Sequence, residues 1–246
     1  MNGKMSVRIK KIKDNQYHVW CDEQNIGTIT TYHNEFHNKY LYLEFNLSKY
    51  PIYFPFSEIK QIEGKSLQVM TDSTNTDLVH LLLQNGFKCK RHCYTPKVTK
   101  NDLRVKLNSN CSLYTFDINN KKYDILCHLL YKYYQAMHQS VSPLTVSENT
   151  FVKEVPTQTG YYSTNEDGKI ENLIFTEKNE IAYICSFSEK SCNLFIQAIL
   201  SKMFSKYSAI FFEADDTDWS ATKLLDCFNV DKENSFNTYI CLLYTS

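Results

Sequence analysis

Glycine is what this chain most lacks. Its 246 residues contain six, whereas average usage is about 7 %. They stand at Gly3, Gly27, Gly64, Gly86, Gly160 and Gly168. A turn that cradles a phosphate needs two or three glycines within about six to eight residues, because its backbone N–H groups must approach the ligand closely. The closest pair here, Gly160 and Gly168, is wider than that. A standard Rossmann fingerprint and a P-loop are therefore both excluded. The scarcity also argues against an all-β protein of many tight hairpins, whose turns need φ > 0.

A hydrophobic share of 43 % at this length supports one large or two small buried cores. Lys4, Arg8, Lys10, Lys11 and Lys13 crowd the N-terminus with no apolar stretch behind them, so no secretory signal is expected. The apolar run at Ile181 to Cys185 is five residues and none exceeds the six of Tyr239 to Tyr244, too short to span a membrane. Nine cysteines, an odd count, read as reduced thiols in a cytoplasmic protein. Cys89, His92 and Cys93 have metal-like spacing, but strand alternation puts His92 on the opposite face and no second pair matches, so no metal is expected. Residues 1–110 hold 16 Lys/Arg and 10 Asp/Glu, a charge of +6; residues 111–246 hold 11 and 17, a charge of −6. An anionic ligand would favour the first half and a cationic one the second.

Apolar and polar residues alternate in Val7 to Ile12, Tyr17 to Thr31 and Tyr40 to Phe45, predicting strands with turns near Asn15 and at Asn25 to Gly27. Further strands are expected at Leu67 to Met70 and Phe87 to Tyr94, with helices at Ser57 to Ile62 and Thr76 to Gln84, the latter ended by Gly86. Pro96 to Asn110 is polar and basic and reads as a linker. The second half predicts strands at Ser112 to Phe116, on both sides of a turn at Asn165 to Gly168, and at Ile181 to Phe187, Ala209 to Glu213 and Phe236 to Leu243. Its helices are expected at Tyr123 to His138, Ser147 to Val155, Cys192 to Tyr207 and Trp219 to Phe228.

The element order of the first half is that of the second without its first two helices. At an offset of 143, Asp72, Thr74, Leu81 and Leu82 meet the identical Asp215, Thr217, Leu224 and Leu225, and Asn75 meets Asp218.

This order, with Asn75, Leu81, Gly86 and Phe87 in register, resembles the GNAT superfamily of acyl-CoA-dependent N-acyltransferases, whose late helix often reads Asn-x-x-Ala-x-x-Leu-Tyr-x-Lys-x-Gly-Phe. The second copy keeps Ala221 and Leu224. The resemblance implies an α+β chain of two GNAT-like domains, each a mixed, mostly antiparallel sheet flanked by helices: a truncated one at 1–100 and a complete one at 101–246. It implies acetyl-CoA, or another acyl-CoA, as co-substrate. In the family the pyrophosphate rests on N–H groups opening the helix after the fourth strand, which here implicates Phe187, Ser188, Lys190, Ser191, Cys192 and Asn193, with Asn75 matching the family's cofactor-contacting asparagine or serving as a plain helix cap. The family's loop glycines are absent there, and its proton-donating helix tyrosine is Leu82 in one copy and Leu225 in the other.

Acyl transfer to an amine needs a base and a proton donor for the thiolate. Glu213, at the end of a strand expected to be buried, is the base candidate; Tyr183 and Tyr239 are substitute acids. Asp215, Asp216 and Asp218 could gather a cationic amine, though turn residues and a cap at Thr217 or Asp218 account for them. The expected partners are an amine acceptor, small molecule or peptide, and a second copy in a homodimer, with no membrane. The alternative is a catalytically inactive GNAT-like module for acyl-CoA binding or protein interaction. Lys88, Lys90, Arg91, Lys97 and Lys100 form a basic stretch, which a solvated strand face explains without nucleic acid.

Overall fold

In the computed structural model, residues 6–108 and 110–242 are described. They form two compact units, neither of them one continuous stretch. Met1–His92, Ser140–Thr145 and Glu233–Ser246 make the first; Cys93–Gln139 and Val146–Lys232 make the second.

The first unit opens with an antiparallel meander of β1 (Val7–Lys13), β2 (Gln16–Cys21), β3 (Gln24–Tyr32) and β4 (Leu41–Leu47). The β2–β3 turn falls at Asp22 and Glu23, with Asp22 at φ 53°, and not at Asn25 to Gly27. Those residues instead make a bulge, in which Val19 faces Gly27 while Trp20 faces Asn25. Glycine is required there: at φ 135° a Cβ would lie 2.1 Å from the Asn46 carbonyl oxygen.

Next come α1 (Phe56–Glu63), β5 (Leu67–Asp72), α2 (Thr76–Gln84) and β6 (Lys88–Tyr94). β4 runs parallel to β5 for two pairs only, Leu41 with Leu67 and Tyr42 with Gln68. The other edge of β5 is taken by the chain's last strand, β14 (Phe236–Cys241), antiparallel from Phe236 opposite Asp72 to Cys241 opposite Leu67. Leu243, expected in this strand, lies outside the described residues. Leu78, Leu81 and Leu82 of α2 pack with Val69, Phe87 and Tyr239 in the core of this unit. Arg91 is buried at 8 % exposure and donates to Thr238 Oγ1 at 3.3 Å, so it is no part of a solvated basic face.

The second unit takes in the end of β6. It contains β7 (Lys97–Thr99), β8 (Tyr114–Asp117), α3 (Tyr123–His138), α4 (Glu148–Glu154), β9 (Thr159–Thr164), β10 (Ile170–Glu177), β11 (Glu180–Ser186), α5 (Glu189–Lys206), β12 (Ala209–Phe212), β13 (Ala214–Asp215) and α6 (Trp219–Leu225). Its six-stranded sheet has the order β7-β12-β11-β10-β9-β8, antiparallel except for β11 with β12. β13 pairs with Cys93 and Tyr94 at the end of β6.

The stretch expected as a linker is part of this unit. Val98, 1 % exposed, pairs with Ile210, and Thr99 and Asp102 close a capping box over a short 3-10 turn. The isolated apolar Val98 carries the burial while its polar neighbours face outward. α5 buries Cys192, Phe195, Ile196, Ile199, Leu200 and Met203, the i, i+3, i+4, i+7 stripe of a helix against a sheet.

The positions aligned by the repeat, 75 and 218, both cap helices. Asn75 caps α2 through its side chain, accepting from the Leu78 N–H, and its counterpart Asp218 caps α6, accepting from the Ser220 and Ala221 N–H groups.

Candidate functional site

β11 and β12 are paired at only two positions, Glu180 with Phe211 and Ile181 with Phe212. Beyond them β12 ends while β11 runs on to Ser186, so the two strands part. A bulge adds to the opening: Phe175 faces Tyr183 but Thr176 faces Ile181, leaving Ala182 out of the ladder with β10. A cavity of about 160 Å³ lies at the divergence. Ala182, Tyr183 and Cys185 of β11 line one side, Glu213, Asp215 and Asp218 another, and Tyr133, Tyr134 and His138 of α3 a third.

A hydrogen-bond network crosses this gap. Tyr133 donates to Asp218 Oδ1 at 2.7 Å, its hydroxyl lies 2.8 Å from Ser220 Oγ, and Ser220 Oγ is 3.2 Å from the Ile184 carbonyl oxygen that it can donate to. Burial holds the Asp218 carboxyl above its ordinary value, against the lowering effect of hydrogen bonds from Tyr133, Ser220 and Ala221. Burial, followed by the neighbouring Asp218 charge, drives the Tyr133 hydroxyl far up. Tyr183 is pushed up to about 12, by burial first and then by the charge of Glu213. Tyr134 stacks on His138 with centroids 3.9 Å apart and meets Tyr183 edge-on at 6.3 Å.

Of the sequence-predicted site residues, Glu213 and Tyr183 line this cavity together. Glu213, however, is exposed and not buried as expected, because it follows the last residue of β12 and does not lie within the strand. Tyr239 is 3 % exposed in the core of the first unit, with Asn237 Nδ2 3.4 Å from its hydroxyl. Asn75 is also in the first unit and acts as a helix cap.

The expected phosphate loop is largely helix. α5 begins at Glu189, so Lys190, Ser191, Cys192 and Asn193 belong to it. Cys192 is wholly buried and its N–H donates to Ser188 O; Phe187 N–H donates to Glu171 O, and Ser188 N–H reaches Ser186 Oγ at 3.4 Å. The first-turn N–H groups of α5 and the Lys190 charge are what an anion would meet, as at any helix start. Glu166, Asp167 and Glu171 line the same groove as Ser188, Lys190 and Ser191.

Tyr133 and Asp218 are the groups that sequence reasoning missed as a pair. They lie 85 positions apart, and only the fold joins them. Among the described residues no group of three or more His, Cys, Asp or Glu is arranged to hold a metal, and no helix is long and apolar enough to cross a membrane.

The strand order and the parting of β11 from β12 make a GNAT-like fold, which one solved structure supports. A GCN5-related N-acetyltransferase from Sphaerobacter thermophilus superposes with a TM-score of 0.54 at 9 % identity, over 95 % of this chain and 82 % of that one. A tandem GNAT protein from the clavulanic acid biosynthesis pathway is also similar, with a TM-score of 0.49 at 7 % identity over 94 % and 83 % of the two chains. A GCN5-related N-acetyltransferase from Kribbella flavida (TM-score 0.44, 12 % identity) matches 93 % of this chain, which spans only 60 % of that protein's length. No family model and no curated protein sequence matches the chain.

Proposed function

We propose that the second unit is an acyl-CoA-dependent N-acyltransferase acting on an amine. The observation that carries this reading is the cavity where β11 and β12 part, lined on one side by Tyr183 and on another by Glu213. A bound acyl-CoA supplies the activated thioester. Glu213, exposed at the cavity, is the carboxylate that takes the proton from the incoming ammonium. Tyr183, which lines the cavity and is pushed up to about 12, keeps its proton and hands it to the departing thiolate. Lys190 and the first turn of α5 are the groups of this unit that suit a phosphate. The fit there is divided, because Glu166, Asp167 and Glu171 share that groove.

The test is thiol release from acetyl-CoA across a panel of amines. Amine-dependent release that falls at least 100-fold in Glu213→Gln is expected for a general base. Absence of release with every amine, together with no heat on titrating acetyl-CoA, would overturn the reading.

A specific observation favours a second reading, an inactive module. The Tyr133, Asp218, Ser220 and Ile184 network spans the gap between the strands with the chain's own atoms, and the late-helix positions that carry the family's acid are the buried Leu82 and Leu225. This reading expects the second unit to bind ligands in its cavity without turning over thioester.

A further inference from the structure

We infer that the two copies of the repeat have exchanged their last strands, so that each unit is completed by a strand of the other copy and the halves of the chain stay joined when the link between them is cut. Two ladders carry the inference. In the first unit β5 has β14 along one edge, with Gln68 opposite Ile240 and Leu67 opposite Cys241. In the second unit β12 has β7 along one edge, with Phe211 opposite Lys97 and Ile210 opposite Val98. Moved by the 143 positions of the repeat, Gln68 becomes Phe211, Leu67 becomes Ile210, Lys97 becomes Ile240 and Val98 becomes Cys241. The two antiparallel ladders therefore join equivalent residues in the same register, with the copies interchanged.

The other edges of the two strands match as well. β5 and β12 each have a parallel neighbour there, β4 and β11, and each keeps it for two pairs only. These neighbours belong to the same copy as the strand they flank, whereas β7 and β14 do not.

The local reason lies at Thr95 and Pro96, the two residues between β6 and β7. A β7 that stayed with its own copy would take the place of β14 between β5 and β6, and β6 would have to turn straight back into it. A two-residue hairpin needs φ > 0 at its first central residue. That residue is Thr95, which is β-branched and is held extended by the proline after it. The chain accordingly runs on from β6 into β7 without a turn. Cutting it between the copies then frees neither half. The piece ending at Asn108 keeps β7 in the second unit, and the piece after it keeps Ser140–Thr145 and β14 in the first. Pulling the pieces apart strips an edge from both β5 and β12.

The experiment uses the full chain with Lys97→Cys and Phe211→Cys, a facing pair of exposed side chains, and a specific protease site inserted after Asn108 and cut once the chain has folded. Facing residues of an antiparallel pair have Cα atoms about 4.5–5.5 Å apart, within disulfide reach. Oxidation is expected to join the two pieces into one band on a denaturing gel without reductant, which neither single substitution does. The cut chain without these cysteines is expected to elute as one species in native buffer, with its circular dichroism unchanged, and as two pieces in urea. Thr95→Asn with Pro96→Gly supplies the turn that β6 and β7 lack and is expected to lower the cross-linked fraction about threefold or more. Two bands from the oxidised double-cysteine chain, or pieces that part in native buffer, would overturn the inference. A cross-linked fraction indifferent to the new turn would overturn the part given to Thr95 and Pro96.

Discussion

The hydroxyl of Tyr133 donates a 2.7 Å hydrogen bond to Oδ1 of Asp218, tying α3 to the first turn of α6. Asp218 is thereby a cap and an anchor at once, since the same Oδ1 accepts from the N–H groups of Ser220 and Ala221 at 2.9 and 3.2 Å. Each contact answers a different cost. The cap satisfies donors that a helix start leaves open, and the tyrosine solvates a carboxylate that burial has taken from water.

Tyr133→Phe keeps the ring and removes the donor. A hydrogen bond to a charged group contributes about 1.5–3 kcal/mol. Urea unfolding at pH 7 is expected to show a loss in that range with the m-value unchanged, because the same surface is exposed on unfolding. A loss under 0.5 kcal/mol would mean that water replaces the tyrosine at Asp218.

Asp218 also predicts a pH dependence. Its carboxyl is held above its ordinary value of 3.8, burial being the main cause. The folded chain then binds this proton more tightly than the unfolded one. The group's contribution to stability is full below the ordinary value and is lost as pH rises through its raised folded pKa. Asp218→Asn has no charge to bury, and its amide oxygen still accepts from Ser220, Ala221 and Tyr133. The melting temperature of the variant minus that of the parent chain is therefore expected to increase between pH 3.5 and pH 7. A difference that is flat or falls over that range would show that Asp218 is ionised at no cost.

Helices and strands with a strong period were legible in the sequence: Tyr123 to His138 coincides with α3, and Thr76 to Gln84 with α2. Three features were hidden, each for a physical reason. The start of α5 was set three residues late because Glu189, Lys190 and Ser191 form a solvated first turn, polar enough to pass for a loop. Val98 is a single apolar residue in a basic stretch, and its partner Ile210 lies 112 positions away, beyond any local pattern. The cavity itself needs Tyr134 and Tyr183 to meet edge-on, which depends on helix packing and not on spacing. Glu213 was legible as a candidate because it was expected to end a strand, and Tyr183 because it lies on the apolar strand β11; the exposure of Glu213 was not legible.

Gly160 tests how tightly β8, β9 and β10 pack. It faces Phe175 in one register and Phe116 in the other. A Cβ built on it would sit 2.0 Å from the Ile174 carbonyl oxygen and 2.5 Å from the Phe116 ring. The ring can shift, but the backbone oxygen belongs to a paired strand. Gly160→Ala is expected to cost about 1–3 kcal/mol or more by overpacking, read as a lowered urea midpoint. An unchanged midpoint would show that the β9–β10 ladder opens freely at this position.

The placement of β14 gives the last prediction. This strand is last in the sequence, yet its ladder partner is β5 of the first unit, with Tyr239 opposite Val69. Tyr239 and Cys241 pack in that unit's core beside Val69 and Phe87. Ser73 and Ser235 fasten the turn before it, with Ser73 N–H donating to Ser235 O at 2.8 Å and Ser235 N–H to Ser73 Oγ at 3.1 Å. A chain cut after Lys232 loses this strand but keeps every segment of the second unit. The cut uncovers an edge of β5 and the apolar side chains beneath it. Amide hydrogen exchange is expected to speed by orders of magnitude across Leu67–Asp72 while the amides of α5, buried around Phe195 and Ile199, remain protected. Equal loss of protection in both places would mean that the two units unfold as one cooperative body; no loss in β5 would mean that β14 contributes nothing to the sheet that holds it.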